Sequence, residues 1–303
     1  MERVVVLMST YNGEKYIRQQ IESILKQKSV KVELYIRDDG STDKTLEILK
    51  EYSSQYDNIS FYQGENLKPC KSFMELIRTE YKGDFYALAD QDDVWDFDKL
   101  KVAVSKLKKE GNKPAMYYSN LRIVDSNLKF CRNSHSKPLV AITKYEPLVE
   151  NLATGCTIVY NKELHNLLMK YAVSTFSMHD AWIYMIASIF GKTIYDFEPH
   201  ISYRQHENNV VGTYKKGKNL TFYWKMILRL FDRKLQPRYD NAKLFYNVFS
   251  DIMSEDYKIK FKKILLYKKS WKNRRKLFFD KDIRPNRTEA NIRLRVMILL
   301  GLL

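Results

Sequence analysis

Three carboxylates fall within four positions at Asp90-Gln91-Asp92-Asp93, directly after the apolar run Phe85 to Ala89. Such a run reads as a buried strand, and the acids stand at what should be its exposed end. Like charges this close repel one another and raise each other's pKa unless a cation or a set of donors lies among them. A divalent ion is the simplest such cation. Oxygen ligands favour magnesium or manganese, and these ions usually reach a protein together with substrate phosphates. The chemistry suggested is a metal-diphosphate site at a strand end. A solvated acidic turn capping a helix that begins near Phe97 would give the same pattern with no ligand at all, and the cluster alone leaves both open.

The elements that must position these acids alternate regularly. Val4 to Met8 is a β-branched run that ends in Ser9-Thr10-Tyr11-Asn12-Gly13. Ile17, Ile21, Ile24 and Leu25 follow at helical spacing, and Val32 to Ile36 then runs into Asp38-Asp39-Gly40-Ser41-Thr42-Asp43. Ser41 or Thr42 can cap the next helix, whose apolar face is Leu46, Leu49 and Tyr52. A short strand at Ile59 to Tyr62, a helix from about Pro69 to Arg78 and the strand ending at Ala89 complete the series. Alternation of this kind predicts an α/β fold with a mostly parallel sheet flanked by helices, and ligands in such sheets bind beyond the carboxyl ends of the strands. The polar clusters at Ser9 to Asn12, Asp38 to Asp43 and Asp90 to Asp93 all fall at such ends and should converge. Asp38 and Asp43 are expected to serve the turn and the helix cap.

With 45% hydrophobic and 14% aromatic residues in 303, the chain is not a disordered polymer. Its formal charge of +16 is uneven: residues 1–212 hold 28 Lys+Arg and 28 Asp+Glu, residues 213–303 hold 24 against 8. We therefore divide it into an α/β region, 1–212, and a basic helical extension, 213–303. Within the extension, Lys258 to Phe279 alternates cations with Phe261, Ile264, Leu265, Leu266, Tyr267, Trp271, Leu277, Phe278 and Phe279. That is the composition of a helix lying on an anionic membrane surface. Packing back onto the preceding domain and binding RNA are the alternatives, and nucleic acid is the least expected partner. No apolar run is long enough to cross a bilayer, and Met1-Glu2-Arg3-Val4 enters a strand without a signal-peptide layout. A cytoplasmic protein, peripheral on the inner face of the membrane, is expected. Cys70, Cys131 and Cys156 are odd in number, lack metal-ligand spacing and read as packing residues.

Ser9-Thr10-Tyr11-Asn12-Gly13-Glu14, Asp38-Asp39-Gly40-Ser41-Thr42-Asp43 and Asp90-Gln91-Asp92-Asp93, in this order after successive strands, resemble the nucleotide-sugar-binding half of family 2 glycosyltransferases, which have the GT-A fold. Met178-His179-Asp180-Ala181-Trp182 resembles the family's acidic pair at a helix start. Tyr203-Arg204-Gln205-His206-Glu207-Asn208-Asn209 resembles the segment that closes the donor site. The resemblance covers about residues 1 to 212, a nucleotide-sugar half to about 110 and an acceptor half from 111. It implies that Thr10, Tyr11, Asn12 and Glu14 line the nucleotide, with Tyr11 stacking on the base, that Asp39 hydrogen-bonds the base and that Asp90 touches the ribose. It also implies that Asp92 holds a Mn2+ or Mg2+ ion on the diphosphate. Asp93 then contacts the phosphates or orients Asp92, His206 is a further metal ligand or phosphate donor, and Arg204 a second phosphate contact. Thr154-Gly155-Cys156-Thr157 resembles the small-residue segment beneath the donor sugar, where Gly155 lets the backbone approach. His179 and Trp182 would contact the sugar, although the more usual family residue at 179 is Glu.

Inverting transfer needs one base opposite the leaving group to take the acceptor hydroxyl proton. Asp180 is the implied base, at the start of the apolar helix Ala181 to Phe190, where the helix dipole favours a carboxylate. The whole arrangement looks most like bacterial transferases that build rhamnose-containing or capsular polysaccharides, which makes thymidine-diphosphate rhamnose the expected donor and a lipid-linked saccharide the expected acceptor. Two other classes compete. A nucleotidyltransferase shares the sheet and the acids but wants a Gly-rich, basic loop after the first strand, and Ser9 to Glu14 has one Gly and no Lys or Arg. A non-enzymatic membrane or RNA adaptor would need no acids at strand ends.

Overall fold

The computed structural model describes residues 1–78, 80–139, 143–173, 176–206 and 237–303. The chain forms two compact units, Met1–Pro138 with Ala153–Gly212, and Leu139–Leu152 with Thr213–Leu303. The second unit thus takes a segment from the middle of the chain, which a division at residue 212 alone does not include. Glu207, Asn208 and Asn209 of the segment expected to close the donor site lie outside the described residues.

The first unit begins with the expected alternation: β1 (Arg3–Thr10), α1 (Ile17–Leu25), β2 (Lys31–Asp38), α2 (Thr45–Gln55), β3 (Ile59–Gln63), α3 (Lys68–Ile77) and β4 (Phe85–Ala89). There follow β5 (Val94–Trp95), α4 (Lys99–Leu107), β6 (Ala115–Ser119), β7 (Arg122–Val124), β8 (Phe130–Asn133), β9 (Val159–Asn161), α5 (Lys162–Lys170), α6 (His179–Phe190), β10 (Lys192–Asp196) and β11 (Ile201–Arg204). Seven strands make one sheet in the order β10-β6-β9-β4-β1-β2-β3, and four make a second in the order β5-β11-β7-β8. In the large sheet β9 runs antiparallel to both β4 and β6, and every other pair is parallel. Val4, Val5 and Val6 are wholly buried, as expected of a central strand covered on both faces. Ile17, Ile21 and Ile24 of α1 are buried as their spacing requires. On α2 the inward residues are Thr45, Ile48, Leu49 and Tyr52, so Ile48 takes the place expected of Leu46.

Two local expectations change. Neither Ser41 nor Thr42 caps α2; Asp43 Oδ1 accepts from the Thr45 N–H at 3.0 Å instead. The cysteines are all free but are not all packing residues, because Cys131 is exposed on β8, where it meets solvent.

In the second unit the described helices are α7 (Pro237–Phe249), α8 (Glu255–Leu266), α9 (Trp271–Phe278) and α10 (Thr288–Leu300). The basic, aromatic segment Lys258 to Phe279 is therefore not one surface helix: it breaks at Ser270, whose side chain accepts from Asn273 N and caps α9. Phe261, Ile264, Tyr267 and Leu277 from that segment are buried, and Trp271 and Phe279 stay 60% and 67% exposed. Among the described residues no helix is long and apolar enough to cross a membrane. The segment Leu139–Leu152 is held by Lys144 and Tyr145 on Asp256, by the Tyr257 hydroxyl on the Lys144 carbonyl at 3.0 Å, and by Arg238 Nε on the Val149 carbonyl at 2.7 Å.

That segment carries Glu146, which is 1% exposed. Burial, with the neighbouring Glu150 adding to it, pushes its carboxyl from 4.5 up to about 8. A carboxyl whose folded pKa is raised stabilises the fold fully below its unfolded pKa and loses that contribution as pH rises through the folded one. Urea unfolding followed between pH 5 and 9 should show stability falling with pH, and Glu146→Gln should flatten that slope, by about 4 kcal/mol at most.

Candidate functional site

The register of the large sheet makes the strand ends level, since Thr10 pairs with Asp38 and Met8 with Ala89. The loops leaving β1, β2 and β4 therefore meet, as their polarity predicts. Tyr11 stands 45% exposed on this rim, a free aromatic face. Its N–H donates to Gln91 Oε1 at 2.8 Å and its carbonyl accepts from Gln91 Nε2 at 3.0 Å. Gln91, to which sequence reasoning assigned no role, thus clamps the β1 loop to the acid loop. Gly13 makes room for it, because a Cβ there would lie 2.4 Å from Gln91 Oε1. The one available signal was an amide set between acids at a strand end.

Asn12 and Glu14 turn towards the β2 loop. The Asn12 N–H donates to Ser41 Oγ at 2.9 Å, Asn12 Oδ1 accepts from Thr42 N at 2.8 Å, and Glu14 Oε2 accepts from Lys44 N at 3.0 Å. Thr10 is buried and donates to Asp38 Oδ1 at 3.0 Å. Asp38 also accepts from Gly40 N and Ser41 N, the turn role expected of it. Asp39 is 2% exposed; it pairs with Arg37 and accepts from Leu67 N and Lys68 N, both at 2.9 Å. Three of its roughly four acceptor positions serve the protein, leaving about one for a base.

The acids behave as a strained group. Burial first, then the charges of Asp92 and Asp180, push the Asp90 carboxyl up. His206 Nε2 lies 2.7 Å from Asp92 Oδ2, so the two residues expected to share a metal are brought together. Asp93 is wholly buried, with Oδ1 on the Arg204 N–H at 3.1 Å; Oδ2 has no donor within ordinary hydrogen-bond distance, and the Cys156 thiol is the weak side-chain donor beside the carboxyl. Ligand atoms of Asp90, Asp93 and Cys156 lie within 4.8 Å of one another. Burial pushes the Cys156 thiol up, however, and a protonated thiol is a poor ligand for a hard ion. The carboxylates and the imidazole do suit Mn2+ or Mg2+, and Asp93 beneath them, with only a weak thiol donor beside its second oxygen, leaves the cluster short of positive charge or strong donors.

Arg204 does not fit the phosphate role expected of it. It is 2% exposed, donates Nε to the Asp92 carbonyl at 2.8 Å and spends its two other nitrogens on Ser126 O and Gln19 Oε1, each at 2.6 Å. Its guanidinium also covers the Tyr16 ring at 4.4 Å. It braces the acid loop from behind. Trp182 is corrected likewise: it is wholly buried against Phe176, ring centres 4.8 Å apart, and offers no face to a sugar.

Asp180 lies in the first turn of α6, partly exposed, with Oδ1 accepting from Ala181 N at 2.6 Å. Its charge helps to raise the Asp90 carboxyl, so the expected base lies within electrostatic reach of the acid cluster. His179 is 4% exposed, stacks on Phe73 at 4.1 Å, and burial pulls its pKa down to about 3, which keeps the ring neutral. Gly155 lies against it: a Cβ there would come within 2.7 Å of His179 Nε2 and 3.8 Å of Asp180 Cβ. The glycine thus lets the 155–157 turn close onto the start of α6. Of the remaining histidines, His165 stacks on Tyr86 at 3.7 Å and His200 bridges Asp98 and Asp196, both structural roles.

The profile of glycosyl transferase family 2 matches residues 5–168. A dTDP-rhamnosyl transferase, RfbG of Shigella flexneri, is 32% identical over 226 residues, 68% of this chain and 73% of that protein. A UDP-Glc:alpha-D-GlcNAc-diphosphoundecaprenol beta-1,3-glucosyltransferase, WfgD of Escherichia coli, is 31% identical over 54% of this chain and 62% of its own. Among solved structures, TarS 1-349 of S. aureus superposes with a TM-score of 0.55 at 15% identity, covering 99% of this chain and 81% of that one. The mannosyltransferase PcManGT of Pyrobaculum calidifontis, in complex with GDP-Man and Mn2+, gives 0.51 at 15% identity over 91% and 72%. At these identities the structures speak for the fold, and that fold is GT-A, as the resemblance implied.

If Arg204 braces the loop, Arg204→Met should destabilise the protein by about 3 kcal/mol, because it strands the Asp92 and Ser126 carbonyls. Urea midpoints measured without nucleotide or metal test this; an unchanged midpoint would return Arg204 to the phosphates.

Proposed function

The chain belongs to glycosyl transferase family 2, and from that premise we propose that it transfers a sugar, with inversion, from a nucleoside-diphosphate sugar to a saccharide acceptor. The single observation that supports this best is the meeting of Asp92 and His206 at 2.7 Å just beyond the end of β4, with the charges of Asp92 and Asp180 both acting on Asp90. Asp92 and His206 would hold Mn2+ or Mg2+. When bound, the ion would neutralise charge on the departing diphosphate. Tyr11 stacks on the base, with Thr10, Asn12, Glu14 and Gln91 keeping that rim in shape, and Asp39 offers its last acceptor position to the base. Asp90 meets the ribose, and Asp93 supports Asp92 from within.

The acceptor oxygen bonds to the anomeric carbon as the bond from that carbon to the diphosphate breaks, and the hydroxyl proton passes to a carboxylate oxygen of Asp180. Placement does much of this work, because a carboxylate is a weak base and must be held against the hydroxyl. Neutral His179, with Gly155 beside it, shapes the sugar side. For the donor we propose thymidine-diphosphate rhamnose, on the likeness to the Shigella protein, and for the acceptor a lipid-linked saccharide, on the likeness to the Escherichia coli protein. The product would be a bacterial surface or capsular polysaccharide. A peripheral place on the inner, anionic face of the membrane agrees with the basic second unit and its exposed Trp271 and Phe279.

A panel of nucleotide sugars assayed with Mn2+ tests the reading directly. Asp92→Asn should abolish transfer and metal-dependent nucleotide binding with the fold intact, and full activity in that variant or in EDTA would exclude the metal-dependent mechanism. Asp180→Asn should leave donor affinity close to wild type and cut kcat by roughly 10²–10⁴, the general-base contribution. A parallel loss of donor affinity would put Asp180 in the binding site instead.

Truncating the helices would also release the 139–152 segment, so the membrane reading is better tested by surface changes. Trp271→Ala with Phe279→Ala should weaken sedimentation with anionic vesicles without altering unfolding. Wild-type binding should fall with salt, since the attraction is screened within about 10 Å at 0.1 M. Vesicle binding that ignores both salt and the two aromatics would overturn it.

A further inference from the structure

Lys99 opens α4 and is wholly buried, a place that ordinary folding forces oppose for a lysine. Burying an ammonium carries a heavy desolvation penalty, and a cation in a helix's first turn works against the helix dipole. Its Nζ donates to the Cys156 carbonyl at 2.6 Å and lies 3.3 Å from the centre of the Trp95 ring. One hydrogen bond and one aromatic face satisfy an ammonium only in part, since it carries three donors. The remaining compensation is electrostatic. Burial pulls its pKa down to about 7, and Cys156 first, then Asp93, Asp90 and Asp96, act against that fall. Asp96 already has a cation, a two-pronged pair with Arg122 at 2.9 Å for each contact. Asp90 and Asp93 remain, and the side-chain donor named beside both is the weak thiol of Cys156.

The geometry ties these acids to the lysine through one residue. Cys156 lies with its sulfur within 4.8 Å of ligand oxygens of both Asp90 and Asp93, and its carbonyl takes the Lys99 proton donor. Cys156 is also the middle of the Gly155–Thr157 turn, which touches His179 beside Asp180. Asp92 and His206, by contrast, sit on the accessible side, with side chains 13% and 15% exposed.

We propose that Lys99 is a positioning residue for the transfer reaction: a resident cation on the buried side of the acid cluster that holds Asp90 and Asp93 in place and pins the Gly155–Thr157 turn at its Cys156 carbonyl before the donor arrives. This rests on reading the cluster as the donor-diphosphate and metal site. An ion entering on the Asp92 side meets acids already partly neutralised from within. Removing the lysine makes the cluster more negative and its grip on a divalent ion tighter, at the expense of its stability when empty.

The test uses the full chain and four proteins: wild type, Lys99→Met, Asp93→Asn and the double variant. Without metal, Lys99→Met should lower the urea midpoint sharply, and adding Asp93→Asn should restore most of the loss, a coupling that independent sites do not give. Additive losses would overturn the proposal. If Lys99→Met fails to fold, the double variant should still fold, and its failure too would overturn the proposal. Free Mn2+ followed by electron paramagnetic resonance supplies a readout that packing alone would not move: folded Lys99→Met should bind roughly tenfold more tightly than wild type, the order expected of one removed nearby charge. Equal affinity would reduce Lys99 to a packing residue. A wild type that binds no Mn2+ would count against the metal reading of the cluster, and the metal-free comparison would still decide the role of Lys99.

Discussion

Three carboxylates delivered to the end of one buried strand cannot lie together without help, and much of the first unit can be understood as that help. Asp93 is fully enclosed and Asp90 is pushed away from ionisation by burial and by its neighbours. Near them stand His206 on Asp92, Arg204 behind the loop, and Lys99 on the carbonyl of Cys156, whose sulfur lies within 4.8 Å of Asp90 and Asp93. A loop of like charges without such bracing would relax outward into water, where each acid is best solvated. The bracing keeps the acid groups together, and a set of carboxyl oxygens held close is what binds a hard divalent ion.

Residues that hold the site and residues that face a ligand divide along burial, and chemistry alone does not separate them. Arg204 and Trp182 have side chains suited to phosphate and sugar, yet both are enclosed and committed to protein partners. Gln91 has an unremarkable side chain and makes two hydrogen bonds to the Tyr11 backbone across the rim. Arg37 likewise spends its guanidinium on Asp39, Ser72 and the Glu65 carbonyl. Rigidity of this sort serves catalysis by fixing the geometry before substrates bind.

The second unit obeys different physics. Among its described residues the cations are spread over short helices whose aromatic residues are partly spent on an internal core, Phe245, Phe249 and Phe261 among them. A segment from the middle of the chain joins this unit through Asp256, Tyr257 and Arg238 and brings a buried acid with it, so part of the stability depends on a proton.

The sequence by itself determined the alternation of strands and helices, the convergence of three polar loops and the family. All of these rest on local periodicity and on residues close together in the chain, such as Val4 to Met8 followed by Ser9 to Asn12. Asp38 and Asp43 were legible as turn residues for the same reason. Tertiary structure alone decided which acids are enclosed, that Lys99 meets Cys156 across 57 positions, and that Arg204 reaches Gln19 across 185. It also decided that the 139–152 segment belongs with the C-terminal helices, and that the Lys258 to Phe279 pattern is two helices with an inner face. Composition and spacing cannot carry such facts, because burial and long-range pairing depend on what the rest of the chain places opposite a residue.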